Sequence, residues 1–169
     1  MATVDFGCGG NKRGDIGVDI CPWPGVDHVV QLGFERVPIE DNSMEKAYCV
    51  HAIEHIPFMI FHQDSIGKWK RYFPMFQFLM EVHRVLKPGA EFDVITLCTD
   101  QGNGTTDHRI FQDPTHCSVW TLDTIRHFVA ARGDRVGDAN DAMAGLKTPF
   151  SLVCLERNSD NLLHFVLRK

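Results

Sequence analysis

The sequence predicts an α/β fold built on a mostly parallel sheet that is completed by a C-terminal antiparallel hairpin. Three observations predict it: short β-favouring segments alternate with helical ones, a glycine turn directly follows the first β-favouring segment, and two more such segments close the chain. Alternating strands and helices pack as parallel sheets, whose ligands bind beyond the carboxyl ends of the strands. We therefore expect a ligand site at that edge of the sheet.

The length and composition indicate one globular domain over residues 1–169. The hydrophobic content of 44% and the charged content of 23% are ordinary for a folded protein and exclude disordered, collagen-like and disulfide-dense classes. The net charge of -5 gives no overall basic surface for a nucleic-acid backbone. Nucleic acid is therefore a disfavoured partner, although Lys68, Lys70 and Arg71 form a local basic group.

The cysteine pattern and the hydropathy pattern indicate a cytoplasmic protein. The six cysteines are scattered singly, without short paired spacings, and no signal-like segment precedes the first predicted strand. We expect these thiols to be reduced. No apolar run approaches the roughly 20 residues that a membrane-spanning helix needs, so no membrane insertion is expected.

Four strands are predicted before residue 52. Each is a short β-favouring run that ends at Pro, Gly or a cluster of charged residues. The runs are Thr3–Phe6, Ile16–Asp19, residues 27–32 and residues 46–51.

A helix is predicted to begin at Pro74, because proline is favoured at the first helical position. Phe76, Leu79 and Leu86 recur there at helical spacing. Residues 87–89, Lys-Pro-Gly, are typical of a helix end.

The remaining elements complete the alternating pattern. Residues 91–97 alternate as a strand, and Thr121 is a candidate N-cap for a helix through residue 132. Residues 150–157 and 161–168, joined by an Asn-Ser-Asp turn, predict the closing antiparallel hairpin.

Two long connections, residues 57–73 and 99–120, show little periodicity. Both follow predicted strands and leave from the edge where the ligand is expected. Long ordered loops in a compact domain are usually functional. We therefore predict that these segments are substrate lids.

The glycine turn and an acid at the next strand end are the candidate binding elements. Gly7 and Gly9 lack Cβ, so the backbone can turn sharply and a ligand can approach its amides closely. Such a turn also occurs for purely conformational reasons. Asp19 ends the second predicted strand, where a carboxylate can accept both hydroxyls of a ribose; a solvated acid is the structural alternative.

The chain contains five ordered segments that carry a family resemblance. They are residues 5–9 (Asp-Phe-Gly-Cys-Gly), 17–19 (Gly-Val-Asp), 37–43 (Val-Pro-Ile-Glu-Asp-Asn-Ser), 51–56 (His-Ala-Ile-Glu-His-Ile) and 81–89 (Glu-Val-His-Arg-Val-Leu-Lys-Pro-Gly). In this order they resemble class I S-adenosylmethionine-dependent methyltransferases, in particular the small-molecule group with an "LEHI"-type signature. The resemblance implies a Rossmann-like seven-stranded sheet and S-adenosyl-L-methionine as the cofactor.

The resemblance also implies which residues hold the cofactor. The glycine turn with Asp5 would hold the methionine part and Asp19 the ribose. Gln31 would face the adenine, where the family usually has Asp, and its amide oxygen can accept the same amino group without charge. His51 would form the wall near the sulfonium. The candidate set is Asp5, Gly7, Cys8, Gly9, Asp19, Ile20, Gln31, Leu32 and His51.

The connections between the first three predicted strands are short for this fold. About ten residues separate the first two strands, and fewer separate the second from the third, which leaves little room for crossover helices. We therefore expect the helices to be reduced on one face of the sheet. Glu91 and Asp93, alternating with Phe92 and Val94, suit a strand with one polar side. A homodimer in which a second subunit covers that face is a hypothesis that follows.

Two other classes of site share parts of these motifs. The spacing His51-x-x-Glu54-His55 matches an inverted zinc-protease motif, but that motif needs a helix and His51 falls at a strand end. No metal is therefore expected. A nicotinamide-dependent oxidoreductase uses a similar glycine turn, yet the usual third glycine is displaced and no room remains for a catalytic domain.

The second long connection concentrates polar and aromatic side chains. His116 or His108 could take a proton from an attacking oxygen or nitrogen near neutral pH, so both are candidate catalytic residues. The structural alternative is a tight turn, which Asp-Pro-Thr-His at residues 113–116 also favours. Related methyltransferases often carry a similar segment at this place, which favours His116. Candidate substrate contacts are His55, Phe111, Asp113 and Trp120.

These observations predict methyl transfer from S-adenosyl-L-methionine to an oxygen or nitrogen of a small-molecule acceptor. Holding two reactants in line can supply roughly 7 to 11 kcal/mol, so a dedicated base is not essential. The alternative is a methyltransferase-like module that binds the cofactor without transferring methyl groups. Transfer to a protein or RNA is disfavoured, because no basic, aromatic-interleaved surface stands out.

Overall fold

The computed structural model describes residues 1–101, 105–126, 128–129 and 150–169. Two α-helices lie in these ranges, α1 (Pro74–Val85) and α2 (Leu122–Arg126), together with two 3-10 helices, Ile53–His55 and His108–Phe111. The strands are β1 (Thr3–Phe6), β2 (Ile16–Asp19), β3 (His28–Val29), β4 (Met44–Val50), β5 (Ile60–Gln63), β6 (Trp69–Tyr72), β7 (Leu86–Leu97), β8 (Ser151–Arg157) and β9 (Leu162–Arg168).

The predicted fold class is confirmed. Seven strands form one sheet in the order β3-β2-β1-β4-β7-β9-β8, in which β9 runs antiparallel between β7 and β8 and the other pairings are parallel. The strands β1 and β2 have the predicted bounds. The third strand is shorter than predicted, since β3 lies at the sheet edge and only its residues 28 and 29 pair with β2.

The helix α1 begins at the predicted proline and ends at Val85, one residue before the end of its predicted pattern at Leu86. Pro74 occupies the first helical position, and Phe78, Leu79 and Val82 are buried on one side. Leu86 instead pairs with Met44 and opens β7. Residues 87–89, predicted to end the helix, therefore lie inside a strand.

Arg84 of α1 joins two of the segments that carry the family resemblance. Its guanidinium donates to the carbonyl oxygens of Val37 (2.9 Å) and Ile39 (2.7 Å) and pairs with Asp41 (2.6 Å). A guanidinium has five donors in a fixed fork, so one side chain can hold several acceptors of a loop. Segments 37–43 and 81–89 therefore contact each other through Arg84. This contact fixes the position of the chain just before β4.

The hydrophobic core lies on one face of the sheet. The rings of Phe6, Phe78 and Phe92 meet edge to face at centroid distances of 5.5 to 6.4 Å, which packs α1 against β1 and β7. Trp120 stacks on Phe165 of β9 at 5.6 Å and extends the same core toward the hairpin. This face is therefore closed by helix and loop side chains.

The opposite face is only partly covered, as the short connections predict. Lys46, Asp93 and His164 point to this face and are partly exposed. Asp93 bonds both Lys46 Nζ and His164 Nε2 at 3.0 Å. The described connections between β1 and β2 and between β2 and β3 contain no helix. On this face the described side chains form ion pairs, Lys46–Asp93 and His164–Asp93, where a helix would otherwise pack.

The first long connection is more ordered than its sequence suggests. Residues 57–73, whose sequence shows little periodicity, contain the antiparallel hairpin β5-β6. In its turn, Asp64 Oδ1 accepts from the backbone amides of Ile66 and Lys68. Of the predicted helix at residues 121–132, α2 covers Leu122–Arg126, and residues 127 and 130–132 lie outside the described ranges. Among the described residues, no helix has the length and apolar character needed to cross a bilayer.

Candidate functional site

The predicted cofactor residues converge on one edge of the sheet. β1, β2, β3 and β4 run parallel, so the residues that end or follow them lie side by side. In the spatial order of the strands these are Gln31, Asp19, Gly7 and His51. The chain reverses its strand order between β1 and β4, and in open α/β sheets this switch point is where ligands bind.

Gly7 is required by both its backbone angle and its surroundings. Its φ of 71° lies in the left-handed region, and its amide donates to the carbonyl of Val18 at 2.7 Å. A Cβ at this position would lie 2.1 Å from Cβ of Ala52, far inside van der Waals contact. The turn therefore packs against the residue that follows His51, which joins the first and fourth strand ends.

Asp19 holds the glycine turn in place. Its Oδ2 accepts from the Gly9 amide at 2.8 Å and its Oδ1 from the Cys21 amide at 2.9 Å. The carboxylate is buried, at 8% exposure. A carboxylate offers about four acceptor positions, so two remain for ribose hydroxyls. Asp19 thus has a structural role that the sequence did not predict, and its contact with a ribose stays a prediction.

Asp5 is buried beneath the turn. Its Oδ2 accepts from the Arg13 amide at 2.7 Å, which draws the β1–β2 connection across the sheet. Burial raises the pKa of the Asp5 carboxyl, and the hydrogen bond from Arg13 offsets only part of this. Burial likewise raises the pKa of the neighbouring Cys8 thiol. Cys8 therefore remains a neutral thiol at physiological pH.

The segment after β4 places a buried acid at the same edge. His51 has a left-handed φ of 52°, and its Nδ1 lies 3.4 Å from Oε1 of Glu54. Glu54 is 1% exposed and accepts from Thr96 Oγ1 at 2.8 Å. Burial alone would raise the pKa of Glu54, but the hydrogen bonds from His51 and Thr96 outweigh it and the net pKa is lowered. The sequence placed Glu54 in the resemblance segment 51–56 and in a possible zinc motif, but did not predict its buried hydrogen bonds.

The end of this edge beside β3 is bordered by the hairpin β5-β6. Gln31 and Ile20 are exposed, and Leu32 packs against the core. Tyr72 of β6 donates its hydroxyl to the Gly33 carbonyl at 2.7 Å, and its ring lies 5.6 Å from that of Phe34. The predicted lid over residues 57–73 therefore stands beside the residues that follow β3. Its anchor, Tyr72, had no sequence signal beyond being an aromatic residue in a predicted loop.

The second long connection brings its predicted residues against the 3-10 helix that follows β4. The rings of His55 and His116 meet at 4.8 Å. Thr115 Oγ1 lies 2.9 Å from His55 Nδ1 and 2.6 Å from Asp113 Oδ1, and the amide of residue 117 donates to the Glu54 carbonyl. Thr115 was missed, although Asp-x-Thr is a common side-chain turn pattern.

Of the three remaining predicted residues, one is buried in the core and two are exposed to solvent. Trp120 is fully buried and its Nε1 donates to Ser118 Oγ at 2.9 Å, so it supports the site from the core instead of lining it. Phe111 is 67% exposed, and His108 is also exposed. Both sit on the 3-10 helix His108–Phe111, which faces solvent through these side chains.

Asp107 and Arg109 form a structural clamp. Arg109 pairs with Asp107 Oδ2 at 2.6 Å, and Asn161 donates to the same oxygen at 2.8 Å. These hydrogen bonds hold the pKa of Asp107 well below its usual range. These bonds connect the second long connection to the start of β9. The side chains of Asp107 and Arg109 therefore have a structural role.

Comparisons with known proteins find the fold but no family by sequence. No protein-family model matches the chain, and no curated protein matches it. Three solved structures illustrate the similarity, each matching 99% of this chain. They are the Haloferax volcanii partner of the Trm112 methyltransferase activator (14% identity, 81% of that chain, TM-score 0.59), an Aquifex aeolicus SAM-dependent methyltransferase (13%, 81%, 0.55) and the cyclase SpnF (12%, 74%, 0.60).

Proposed function

We propose that this protein transfers a methyl group from S-adenosyl-L-methionine to an oxygen or nitrogen of a small-molecule acceptor. The observation that carries the proposal is the alignment of the glycine turn, Asp19, Gln31 and His51 at neighbouring strand ends of the sheet. Structural neighbours with this fold are SAM-dependent methyltransferases. One neighbour is a cyclase, so the fold alone does not decide the reaction.

The residues present fit this cofactor. The backbone at Gly9 and Gly10 is open on the side where a Cβ would stand, with no atom within 4 Å. Asp19 keeps acceptor positions beside that opening, and Gln31 is exposed two strands away. When bound, the cofactor supplies a methyl group activated by its sulfonium. The chain's own task is to bind it, orient it and exclude water from the acceptor's line of approach.

We assign to His116 the role of accepting a proton from the acceptor. Its Nδ1 lies 3.0 Å from the Ile110 carbonyl oxygen, which can only accept, so Nδ1 carries the ring proton. In the neutral ring, Nε2 then has a free lone pair. His108 remains the second candidate, exposed on the same segment. Asp113, His55 and Phe111 would contact the acceptor.

Calorimetric titration of the purified protein tests the cofactor. We expect S-adenosyl-L-methionine and its demethylated product to bind with one site each, and NAD to give no heat of binding. Adenine and ribose are common to all three ligands, so the comparison isolates the methionine end. Binding of NAD alone would contradict the proposal and favour the oxidoreductase.

The second candidate function is a module that binds the cofactor without turnover. The observation that favours it is the absence of helices from the described β1–β2 and β2–β3 connections, which leaves the site less enclosed. The two candidates differ in product formation. Transfer of labelled methyl to any member of a panel of alcohols, phenols and amines supports the enzyme, whereas tight cofactor binding with no transfer supports the module.

We propose that a second copy of this chain covers the open sheet face. Besides its ion pairs, that face carries the cross-strand apolar pairs Val50–Ile95 and Leu97–Leu162, all partly exposed. Burying them in a symmetric interface would remove apolar surface from water. Light scattering is expected to give the mass of a dimer, and Ile95→Lys to give a monomer that still folds. A monomeric mass for the unaltered chain at tens of micromolar would contradict this.

A further inference from the structure

Three side chains beside the candidate site carry metal-binding atoms close together. His55, Asp113 and His116, here called the histidine–aspartate cluster, each offer one ligand atom, and these atoms all lie within 4.8 Å of one another. His116 Nε2 itself lies 3.9 Å from Asp113 Oδ2. Two imidazoles and one carboxylate form a ligand set that suits zinc and similar divalent ions.

The hydrogen bonds around the cluster leave one ring nitrogen of each histidine free. Nδ1 of His116 donates to the Ile110 carbonyl, so Nε2 keeps its lone pair. An ionised Asp113 can only accept, so Thr115 donates its single hydroxyl proton to it across 2.6 Å. The Thr115 oxygen must then accept from His55 Nδ1 at 2.9 Å, which leaves His55 Nε2 free.

This arrangement is the one that metal-binding histidines need. A metal-ligating histidine usually donates its other ring N–H to a carbonyl or another oxygen, which fixes the ring orientation. Both histidines do so here, to Ile110 and Thr115. The carboxylate of Asp113 is oriented too, because the amide and the hydroxyl of Thr115 both donate to its Oδ1, at 2.8 and 2.6 Å.

In a second group of side chains that could bind a metal, the histidine has no free ring nitrogen. Cys154, Glu156 and His164 also lie within 4.8 Å of one another on the open sheet face. Both ring nitrogens of His164 are occupied, by Glu156 and Asp93, each at 3.0 Å. Burial alone would lower the pKa of His164, but these two carboxylates raise it on balance. A doubly donating imidazolium has no lone pair for a metal, so this group is an ion-pair site.

We infer that the histidine–aspartate cluster binds one divalent ion of the zinc class, with His55 and His116 as nitrogen ligands and Asp113 as the oxygen ligand. In a tetrahedral site with metal–nitrogen distances of about 2.0 Å, neighbouring ligand atoms lie about 3.4 Å apart. The cluster must therefore contract slightly, which its exposed His55 and Asp113 side chains permit. Three protein ligands leave a fourth position open, as catalytic zinc sites do.

Metal binding goes beyond the proposed function and does not depend on it. If methyl transfer also holds, His116 binds the ion in place of accepting a proton, and His55 and Asp113 bind the ion in place of contacting the acceptor directly. An acceptor hydroxyl at the open position would then have a lowered pKa, because a bound cation stabilises the anionic form. The acceptor class would be an alcohol or phenol in preference to an amine.

The test is Co²⁺ binding to the full chain, expressed without a polyhistidine tag and with no cofactor or acceptor present. We expect one equivalent to produce visible d–d bands of a four- or five-coordinate site, displaced by Zn²⁺. His116→Ala and His55→Ala should each weaken binding by at least about 10- to 100-fold. His62→Ala on the hairpin is the matched control and should leave binding unchanged, since His62 is exposed and outside the cluster.

Three results would overturn the inference. One is no saturable Co²⁺ or Zn²⁺ binding up to millimolar metal. A second is binding that survives His55→Ala and His116→Ala while circular dichroism shows both variants folded. A third is a sulfur-to-cobalt charge-transfer band that disappears in Cys154→Ser, which would place the ion in the other group. Because neither cofactor nor acceptor is present, each result is distinct from a failure of methyl transfer.

Discussion

Replacing Gly7 with alanine is expected to destabilise the protein severely and to abolish cofactor binding. The new methyl group would stand 2.1 Å from Cβ of Ala52, and the left-handed φ of 71° would add backbone strain. A left-handed non-glycine residue costs roughly 1–2 kcal/mol and overpacking roughly 1–3 kcal/mol, or about 2–5 kcal/mol together. That is a large fraction of a typical stability of about 5–15 kcal/mol. Urea unfolding followed by circular dichroism measures the loss.

Gly9→Ala is the matched control for Gly7→Ala. Gly9 has a similar φ of 54°, but no atom lies within 4 Å of the added Cβ. Only the backbone strain of roughly 1–2 kcal/mol is expected. Equal destabilisation by the two substitutions would show that the contact with Ala52 does not restrict the turn. A Gly7→Ala variant with unchanged cofactor affinity would contradict the placement of the turn at the cofactor.

Replacing Asp19 with alanine is expected to lower both stability and cofactor affinity. The amides of Gly9 and Cys21 would lose their acceptor, and leaving a buried donor unsatisfied costs roughly 1–3 kcal/mol. The ribose would lose a charged hydrogen bond worth about 1.5–3 kcal/mol, which is about a 10- to 150-fold weaker affinity. Urea unfolding and calorimetry with S-adenosyl-L-methionine measure the two effects separately.

Asp27→Ala is the control that distinguishes the structural role of Asp19, accepting from backbone amides, from its proposed role in binding the ribose. Asp27 also accepts from a strand amide, that of Gly17 at 2.7 Å, but it precedes β3 and lies away from the carboxyl edge. This variant is expected to lose stability and to keep its cofactor affinity. If folded Asp19→Ala retains full affinity, or if Asp27→Ala loses as much, the ribose assignment of Asp19 is refuted.

The sequence predicted most of the sheet because strand ends are set locally. A short β-favouring run stopped by glycine or a charged cluster fixes where a parallel strand ends, and parallel strands bring those ends to one edge. Gly7, Asp19 and His51 were therefore placed together correctly. The end of α1 was predicted to within one residue, but the start of β7 was placed too late, because Leu86 already pairs with Met44 before the Lys-Pro-Gly segment. The hairpin β5-β6 was missed because its mixed aromatic and basic residues do not alternate in hydropathy.

The sequence by itself thus determined the fold class and brought the candidate site residues to one edge of the sheet, since local propensities and turn residues decide strand ends. Only the tertiary structure decided what each side chain does there. Trp120 resembled a pocket wall but is core, and Asp19 also holds the turn. The meeting of His55 with Thr115 and His116 joins residues about 60 positions apart. Contacts over such distances depend on how loops cross the finished sheet, and a pattern read along the chain carries no signal for them.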